Sequence, residues 1–538
     1  MNSDYKKYCD QDGVSVNTAL ISVHNKTGIV EFAKRLISYG VKIISTGGTC
    51  QLLEKENIPV INISDITGFP EIMDGRVKTL HPNIYGALLC VRDNKDHIIS
   101  MKEYGLEPID LVVVNLYPFE ESCNKDDYQQ IVENIDIGGP SMIRAAAKNH
   151  AYVTVLTNPT DYSPFLDEID SNNGKTFLDF RTKMASKAFA RTASYDSTIY
   201  NWFSRSEKED FPQYLNITAV KQQEMRYGEN PHQKAALYST IAGKRSGVAN
   251  ASLLQGKKLS YNNISDLDAA CELVSEFHPD DCAACVIVKH ANPCGVAIAD
   301  TTVEAYLRAL ASDPVSAFGG IIAFNQILNQ DTASEIIKIF TEAVIATNIS
   351  KEAEIIISKK PNMRFLNISE LPDPRVSEMM FKTVAGGLLV QTRDNIMADD
   401  QELKVVTKRF PTPQEISDMK FAFKVVKHVK SNAVVYAKEG RTVGIGAGQT
   451  SRVDSTRFAA IKSEGISINS GNHKITTHGS VIASEAFYPF PDGILSAIKS
   501  GVTAVIQPGG SVRDDEIIEI ADHNDIAMVF TGIRHFRH

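Results

Sequence analysis

Ala19-Leu20-Ile21-Ser22-Val23 and Val41-Lys42-Ile43-Ile44-Ser45-Thr46-Gly47-Gly48-Thr49 bracket a single amphipathic segment. The first run reads as a buried strand. Ile29, Phe32, Ala33, Leu36 and Ile37 then recur at helical spacing, and Gly40 is a candidate helix C-cap. Val41 to Ser45 reads as the next strand, so the order strand, helix, strand predicts an α/β fold. Thr46 to Thr49 follows as a strand-to-helix turn with two glycines and two hydroxyls. Such a turn offers backbone N–H groups and a helix N-terminus to an anion. A Gly-Gly turn is often only a turn, so this motif needs company.

The rest of the chain sets bounds. Its 538 residues suffice for two or more domains. With 43% hydrophobic and 22% charged residues it has an ordinary globular composition. Fifty-six basic against 65 acidic residues give a net charge of −9 without a basic block, which argues against a nucleic-acid surface. Met1 to Val14 lacks the apolar core of a signal peptide, and no apolar run approaches the ~20 residues of a membrane helix. Eight scattered cysteines point to a reducing, cytoplasmic setting. Cys282 and Cys285 form the one Cys-x-x-Cys. Zinc would need further ligands, His290 and Cys294 being nearest. A zinc nucleobase deaminase would also show Pro-Cys-x-x-Cys and His-x-Glu. Asp281 precedes Cys282 and no His-x-Glu occurs, so both cysteines read as strand core and no metal is expected.

Leu111 to Val114 is all apolar, suited to burial on both faces of a parallel sheet. Three clusters around it carry chemistry. Gly75-Arg76-Val77-Lys78-Thr79-Leu80-His81-Pro82 sets Arg76 and Lys78 on one face if extended. Asn115-Leu116-Tyr117-Pro118-Phe119 leaves the strand with an amide and a phenol. Asp136-Ile137-Gly138-Gly139-Pro140-Ser141 opens a helix, with Pro140 suited to its first position. Ser141, Arg144 and Lys148 stripe that helix. Lys148 lies ~12 Å along it from Pro140, too far to share its N-terminus with an anion. Together these groups suggest metal-free acid–base work on a phosphorylated molecule.

A long helical stretch from about Thr176 to Phe203 closes the first half, and the charged, Pro-containing segment Glu207 to Thr218 marks a boundary. The second half repeats the α/β alternation. Cys285 to Ala297 reads as strand, Lys-His turn, strand, and Ala433 to Gly448 as strand, Lys-Glu-Gly-Arg turn, strand, which hints at duplication. In the first of these, Ala284 to Val288 ends in Lys289-His290-Ala291-Asn292-Pro293-Cys294-Gly295. Adjacent strand residues face opposite ways, so Lys289 and His290 reach one pocket only if the turn begins there. Histidine titrates near neutrality, as acid–base chemistry requires. Alone, the pair would pass for a strand-edge lysine and a satisfied histidine.

Gly75 to Pro82, Asp136 to His150, Arg226-Tyr227-Gly228-Glu229-Asn230-Pro231-His232-Gln233 and Gly444-Ile445-Gly446-Ala447-Gly448-Gln449-Thr450-Ser451-Arg452 are long and occur in one order. In these motifs the chain resembles the bifunctional family of the last two steps of purine synthesis, 5-aminoimidazole-4-carboxamide ribonucleotide (AICAR) transformylase joined to inosine monophosphate (IMP) cyclohydrolase. The likeness covers nearly everything after Thr18. It implies an N-terminal methylglyoxal-synthase-like parallel-sheet cyclohydrolase over 18–215. A transformylase of two cytidine-deaminase-like α/β units lacking zinc would follow over 216–538. Residues 1–17 have no counterpart and no assigned role.

By the same resemblance, Ser22, Lys26, Thr46, Gly47, Gly48, Thr49 and Arg76, with Thr79, Asn115, Ile137 and Gly138, would hold nucleotide and phosphate. Lys78, Tyr117, Asp136 and Lys148 would serve ring closure of the formylated intermediate, FAICAR. Lys289 and His290 would be the catalytic pair of formyl transfer. Arg226, Tyr227, His232, Phe318, Gly319, Asn432, Arg452, Phe487, Asp492 and Arg534 would contact substrate. The implied cosubstrate is 10-formyltetrahydrofolate, with no tightly bound cofactor, K+ as a candidate ion, and a homodimer as the assembly. His24 departs from the small polar residue of the Ser-Val-x-x-Lys loop, and Ala346-Thr347 from Ala-Pro, which leaves open a folate contact by Glu342. Two other classes compete. An allosteric nucleotide-binding module would keep the phosphate loop and dispense with Asp136 and Lys148. A dinucleotide oxidoreductase is suggested by Gly444-x-Gly446-x-Gly448, but Gln449 stands where the third glycine belongs.

Overall fold

The N-terminal strand, helix and strand form over Thr18–Val23, Ile29–Ser38 and Lys42–Ser45. The computed structural model describes residues 12–70, 72–119, 127–206, 210–240, 245–400, 402–470 and 477–538. Gly40, at φ 75°, turns the chain out of its helix. Its N–H reaches Ile37 O at 2.9 Å while Val41 N–H reaches Leu36 O at 3.1 Å. These bonds occupy two carbonyls that the helix end would leave bare.

The chain divides into two units, Met1–Ala219 with Thr240–Ala242, and Val220–Ser239 with Gly243–His538. The main segment of the first unit ends at Ala219, where the strand Ala219–Met225 begins. The charged linker, of which 207–209 lie outside the described residues, carries no mark of that strand.

Five parallel strands form the sheet of the first unit, in the order Ile61–Asn62, Lys42–Ser45, Thr18–Val23, Leu111–Asn115, Thr154–Leu156. Ala19, Ile21 and Val23 face one core with Phe32 and Phe165, while Leu20 faces the other with Ile143 and Tyr195. Burial on both sides is why these strands are continuously apolar. Successive strands are added first on one side of Thr18–Val23 and then on the other. The reversal opens a crevice at the strand carboxyl ends, where ligands of such sheets bind.

Two expectations need correction. Val14–Ser15 pairs antiparallel with Lys175–Thr176, and the buried Arg181 donates to Asp12 O at 3.0 Å. Residues 12–17 are thus built into the first unit, although a two-residue strand left no periodic trace in the sequence; residues 1–11 lie outside the described residues. The helix carrying Pro140 spans Gly138–Lys148, so proline holds its third position instead of its first. No N–H of the opening turn has a partner within the helix, so proline is tolerated there.

The second unit carries a twelve-stranded sheet. Its strands are β1 Ser252–Gln255, β2 Ala283–Lys289, β3 Asn292–Ala299, β4 Ile321–Phe324, β5 Ala343–Ala346, β6 Arg364–Asn367, β7 Lys404–Val405, β8 Val434–Lys438, β9 Arg441–Gly446, β10 Val481–Ser484, β11 Ala504–Gln507 and β12 Ala527–Phe530. The order β1-β6-β5-β4-β2-β3-β9-β8-β10-β11-β12-β7 is two copies of one pattern meeting at the centre. In each copy the same two pairs are parallel and the same three antiparallel. Ala297 against Arg441 joins them. The helices Tyr261–Val274 and Pro413–Val426 share one core on one face of the sheet. On the other face each copy keeps its own, around Ile287 and Tyr306 or around Tyr436 and Ala459. The faint likeness between the two Lys-turn passages is therefore a duplication of topology. Cys285 is buried and Cys282 half-buried against these cores.

Candidate active sites

A cleft of about 700 Å3 opens at the strand reversal of the first unit. It gathers Ser22, Lys26, Thr46 to Thr49, Arg76, Lys78, Thr79, Asn115, Tyr117, Asp136, Ile137 and Gly138, which lie far apart in the chain. The end of the cleft around Thr46 to Thr49 is tied internally. Ser22 Oγ and Thr46 Oγ1 are 2.7 Å apart, and Lys26 Nζ donates to Thr49 Oγ1 at 3.0 Å and to Val23 O. Asn115 Oδ1 accepts from His24 N at 2.7 Å and Asn25 N at 2.8 Å, so the amide clamps the loop. Burial, and then Lys78, lower the pKa of Lys26. That crowding of cations suits the binding of an anion.

Asp136 forms the opposite wall. Its backbone N–H donates to Tyr195 Oη at 2.8 Å, and its Oδ1 accepts from Gly139 N at 2.8 Å. A Cβ on Gly139 would stand 2.4 Å from Asp136 Oδ2, so only glycine lets the carboxylate lie over the helix start. Burial raises the pKa of Asp136, partly offset by Gly139 N–H, Lys78 and Gly138 N–H. A half-desolvated carboxylate beside a lysine is suited to taking up and releasing a proton.

Lys148 is not among the cleft residues; it is exposed at the far end of its helix. Sequence reasoning missed Glu133, which pairs with Arg76 (Nε to Oε1 3.1 Å) from the helix Tyr128–Glu133. No local pattern links the two. His24, noted only as a departure, lies in the cleft with its ring 4.4 Å from that of Tyr117.

In the second unit Lys289 and His290 border a cavity of about 200 Å3, with Asn292, Cys294, Asp313 and Lys462. β2 and β3 are joined by the two residues His290 and Ala291, at φ 54° and 57°. This is the tight hairpin whose central residues both need positive φ, normally Asn-Gly. Thus the turn does begin at Lys289. Lys289 Nζ donates to Phe318 O at 2.8 Å, beside Gly319 at φ 70°. Lys462 Nζ is 2.6 Å from Asp313 Oδ2. Cys294 donates its S–H to Ile287 O at 3.4 Å, and burial pushes its pKa up to about 12, so it stays a thiol.

The remaining transformylase candidates are dispersed. Arg452 is buried and donates to Asn432 Oδ1 at 3.1 Å, Glu485 Oε1 at 2.9 Å and the Phe487 carbonyl. Glu485 gave no signal in the sequence. Arg226 lies 5.8 Å from the Tyr227 ring centroid and Arg534 4.3 Å from that of Phe536. Arg226, His232, Phe318, Asp492 and Arg534 are exposed. Glu342 pairs with Arg364 at 2.8 Å. Among the described residues no group of three His, Cys, Asp or Glu could hold a metal ion, and no helix is long and apolar enough to cross a membrane.

Residues 28–141 match the family described as MGS-like domain, and residues 146–462 match AICARFT/IMPCHase bienzyme. The chain belongs to the AICARFT/IMPCHase bienzyme family. Bifunctional purine biosynthesis protein PurH of Rhizobium etli (strain CIAT 652) is 60% identical over 534 residues, 99% of each chain. The proteins of the same name from Rhizobium meliloti (strain 1021) and Sinorhizobium medicae (strain WSM419) are 60% and 61% identical over the same span. As a member of the bienzyme family the chain is a formyltransferase and a cyclohydrolase, catalysing the last two steps of purine biosynthesis.

Proposed function

We propose that the cleft of the first unit closes the ring of FAICAR to IMP and that the Lys289–His290 turn moves the formyl group from 10-formyltetrahydrofolate to AICAR. The activities then separate along the chain near residue 215. The observation that carries this reading is the gathering of Asp136, Lys78, Tyr117 and the Thr46–Thr49 turn in one cleft. In ring closure the carboxamide nitrogen attacks the formyl carbon and water leaves. Asp136 takes the amide proton, Lys78 stabilises the developing oxyanion, and Tyr117 orients the ring. Lys148 lies outside the cleft. In formyl transfer the ring amine is a poor nucleophile, its lone pair being delocalised. His290 accepts its proton as attack proceeds, and Lys289 protonates the departing folate nitrogen. The folate is a diffusible cosubstrate, K+ is a candidate ion, and the cytoplasm is the setting.

The chain works as a homodimer. Among the described residues the strands Met379–Val384 and Gly387–Thr392 pair only with each other, and they expose Met380, Phe381, Val384, Leu388 and Leu389. A lone two-stranded ribbon is marginal in water, and an apolar patch of this kind marks an interface.

An assay supplied with AICAR and 10-formyltetrahydrofolate tests the assignment. Asp136→Asn keeps shape but not basicity, so it should slow ring closure by ~10²–10⁴-fold. FAICAR accumulates while formyl-folate is consumed at the normal rate. The base must be ionised, so ring closure by the unaltered enzyme falls as pH drops through the raised pKa of Asp136. That acid limb lies above the usual carboxylate range and vanishes in Asp136→Asn. Normal IMP output from the variant would overturn the role.

A further inference from the structure

Asp266 lies on the helix Tyr261–Val274, outside the cavity beside Lys289, and its Oδ1 accepts from Ala291 N at 2.7 Å. The other half of the sheet has the same device. Asp418 lies on the helix Pro413–Val426 and accepts from Glu439 N at 2.9 Å and Gly440 N at 2.8 Å, in the turn between β8 and β9. Each helix opens with a capping box, at Ser260 and at Thr412, and the two aspartates stand at the same distance from those caps. Each turn follows a lysine bonded to the carbonyl before a left-handed glycine. These are Lys289 to Phe318 O at 2.8 Å before Gly319, and Lys438 to His478 O at 3.3 Å before Gly479.

The two aspartates meet different demands. Left-handed backbone disfavours any residue with a Cβ by roughly 1–2 kcal/mol. The second turn has Gly440 in one of its two positive-φ positions, whereas the first has His290 and Ala291 in both. Left alone, a His-Ala pair would relax to a turn of ordinary φ and carry the imidazole away from Lys289. The hydrogen bond that Asp266 accepts from Ala291 N–H opposes that relaxation.

We propose that Asp266 is a positioning residue for formyl transfer, holding the His290–Ala291 turn in the one backbone geometry that aims His290 and Lys289 into the same cavity. The proposal rests on the assignment of those two residues to formyl transfer. It does not place Asp266 on the substrate.

Steady-state formyl transfer and ring closure, measured in the full-length enzyme for Asp266→Ala, Asp266→Asn, Asp418→Ala and His290→Ala, decide the matter. Misplacing a catalytic group by about 1 Å can cost ~10²-fold. Asp266→Ala should lower formyl-transfer kcat by roughly 10–100-fold with little change in the KM for AICAR. Asp266→Asn keeps the acceptor and should restore most of the rate. Asp418→Ala removes two bonds of the same kind from the other turn and should leave kcat unchanged. Ring closure should persist in all four, and an unchanged far-UV circular dichroism spectrum and urea midpoint report that the second unit is folded. Asp266→Ala with normal kcat, or an equal loss in Asp418→Ala, overturns the positioning role. Equal losses in Asp266→Asn and Asp266→Ala also overturn it, since the charge and not the acceptor would then matter. Normal formyl transfer by His290→Ala would strike the underlying assignment instead.

Discussion

The turns His290–Ala291 and Glu439–Gly440 occupy corresponding places in the two halves of one sheet, with a lysine before each and an aspartate behind. Their surroundings differ. A cavity with Asp313 and Lys462 borders the first, whereas Arg308 donates to the backbone carbonyl of Glu439 in the second. Duplication supplied a frame twice: strand, tight turn, lysine on a neighbouring carbonyl. Chemistry depends on what fills it, an imidazole next to open space in one copy and, in the other, a glutamate whose backbone carbonyl accepts from Arg308.

The largest contrast should be catalytic. Lys289→Ala and His290→Ala should each lower formyl transfer by ~10²–10⁴-fold. The double variant should lose little more, because groups serving one proton transfer act as a unit. Lys438→Ala should match the unaltered enzyme. Comparable losses from Lys438→Ala would erase the distinction between the copies, and multiplicative losses in the double variant would break the pairing of Lys289 with His290.

Stability should separate the turns in the opposite sense. A Cβ at Gly440, already at φ 69°, would meet Ile298 Cγ1 at 2.8 Å. Gly440→Ala should therefore destabilise by about 1–3 kcal/mol in urea unfolding, through strain and overpacking. An unchanged midpoint would show that the second turn can deform freely, and that the likeness of the two frames is loose.

The smallest effect is the most telling. Ala291→Gly relieves left-handed strain of roughly 1 kcal/mol, less the extra freedom glycine brings to the unfolded chain. Stability should hold or rise by up to about 1 kcal/mol, while formyl-transfer kcat falls as the turn loosens. A variant both less stable and fully active would show that the strained alanine does nothing for His290.

Much of this was legible in the residues. Continuous apolar runs such as Leu111 to Val114 announced buried parallel strands, because a sheet covered on both faces admits no alternation. Gly40 announced a helix end and Thr46 to Thr49 a strand-to-helix turn, because those conformations depend on neighbours in the chain. The strand Val14–Ser15 was not legible, being held by Lys175–Thr176 far along the sequence. Nor were the pairs Arg76–Glu133 and Arg452–Glu485. Their partners come from distant elements, and a lone glutamate has no pattern.

By itself the sequence determined the α/β class, the two halves of the chain, and the residue types that can move protons, for these follow from local periodicity and side-chain chemistry. Tertiary structure alone decided that Asp136, Lys78 and Tyr117 share one cleft while Lys148 stays outside it. It also decided that Lys289 and Lys438 stand in equivalent frames with unequal surroundings. The reason is physical: a strand reversal and a tight turn bring together groups that are remote in sequence, and only packing in three dimensions sets which of them share a space.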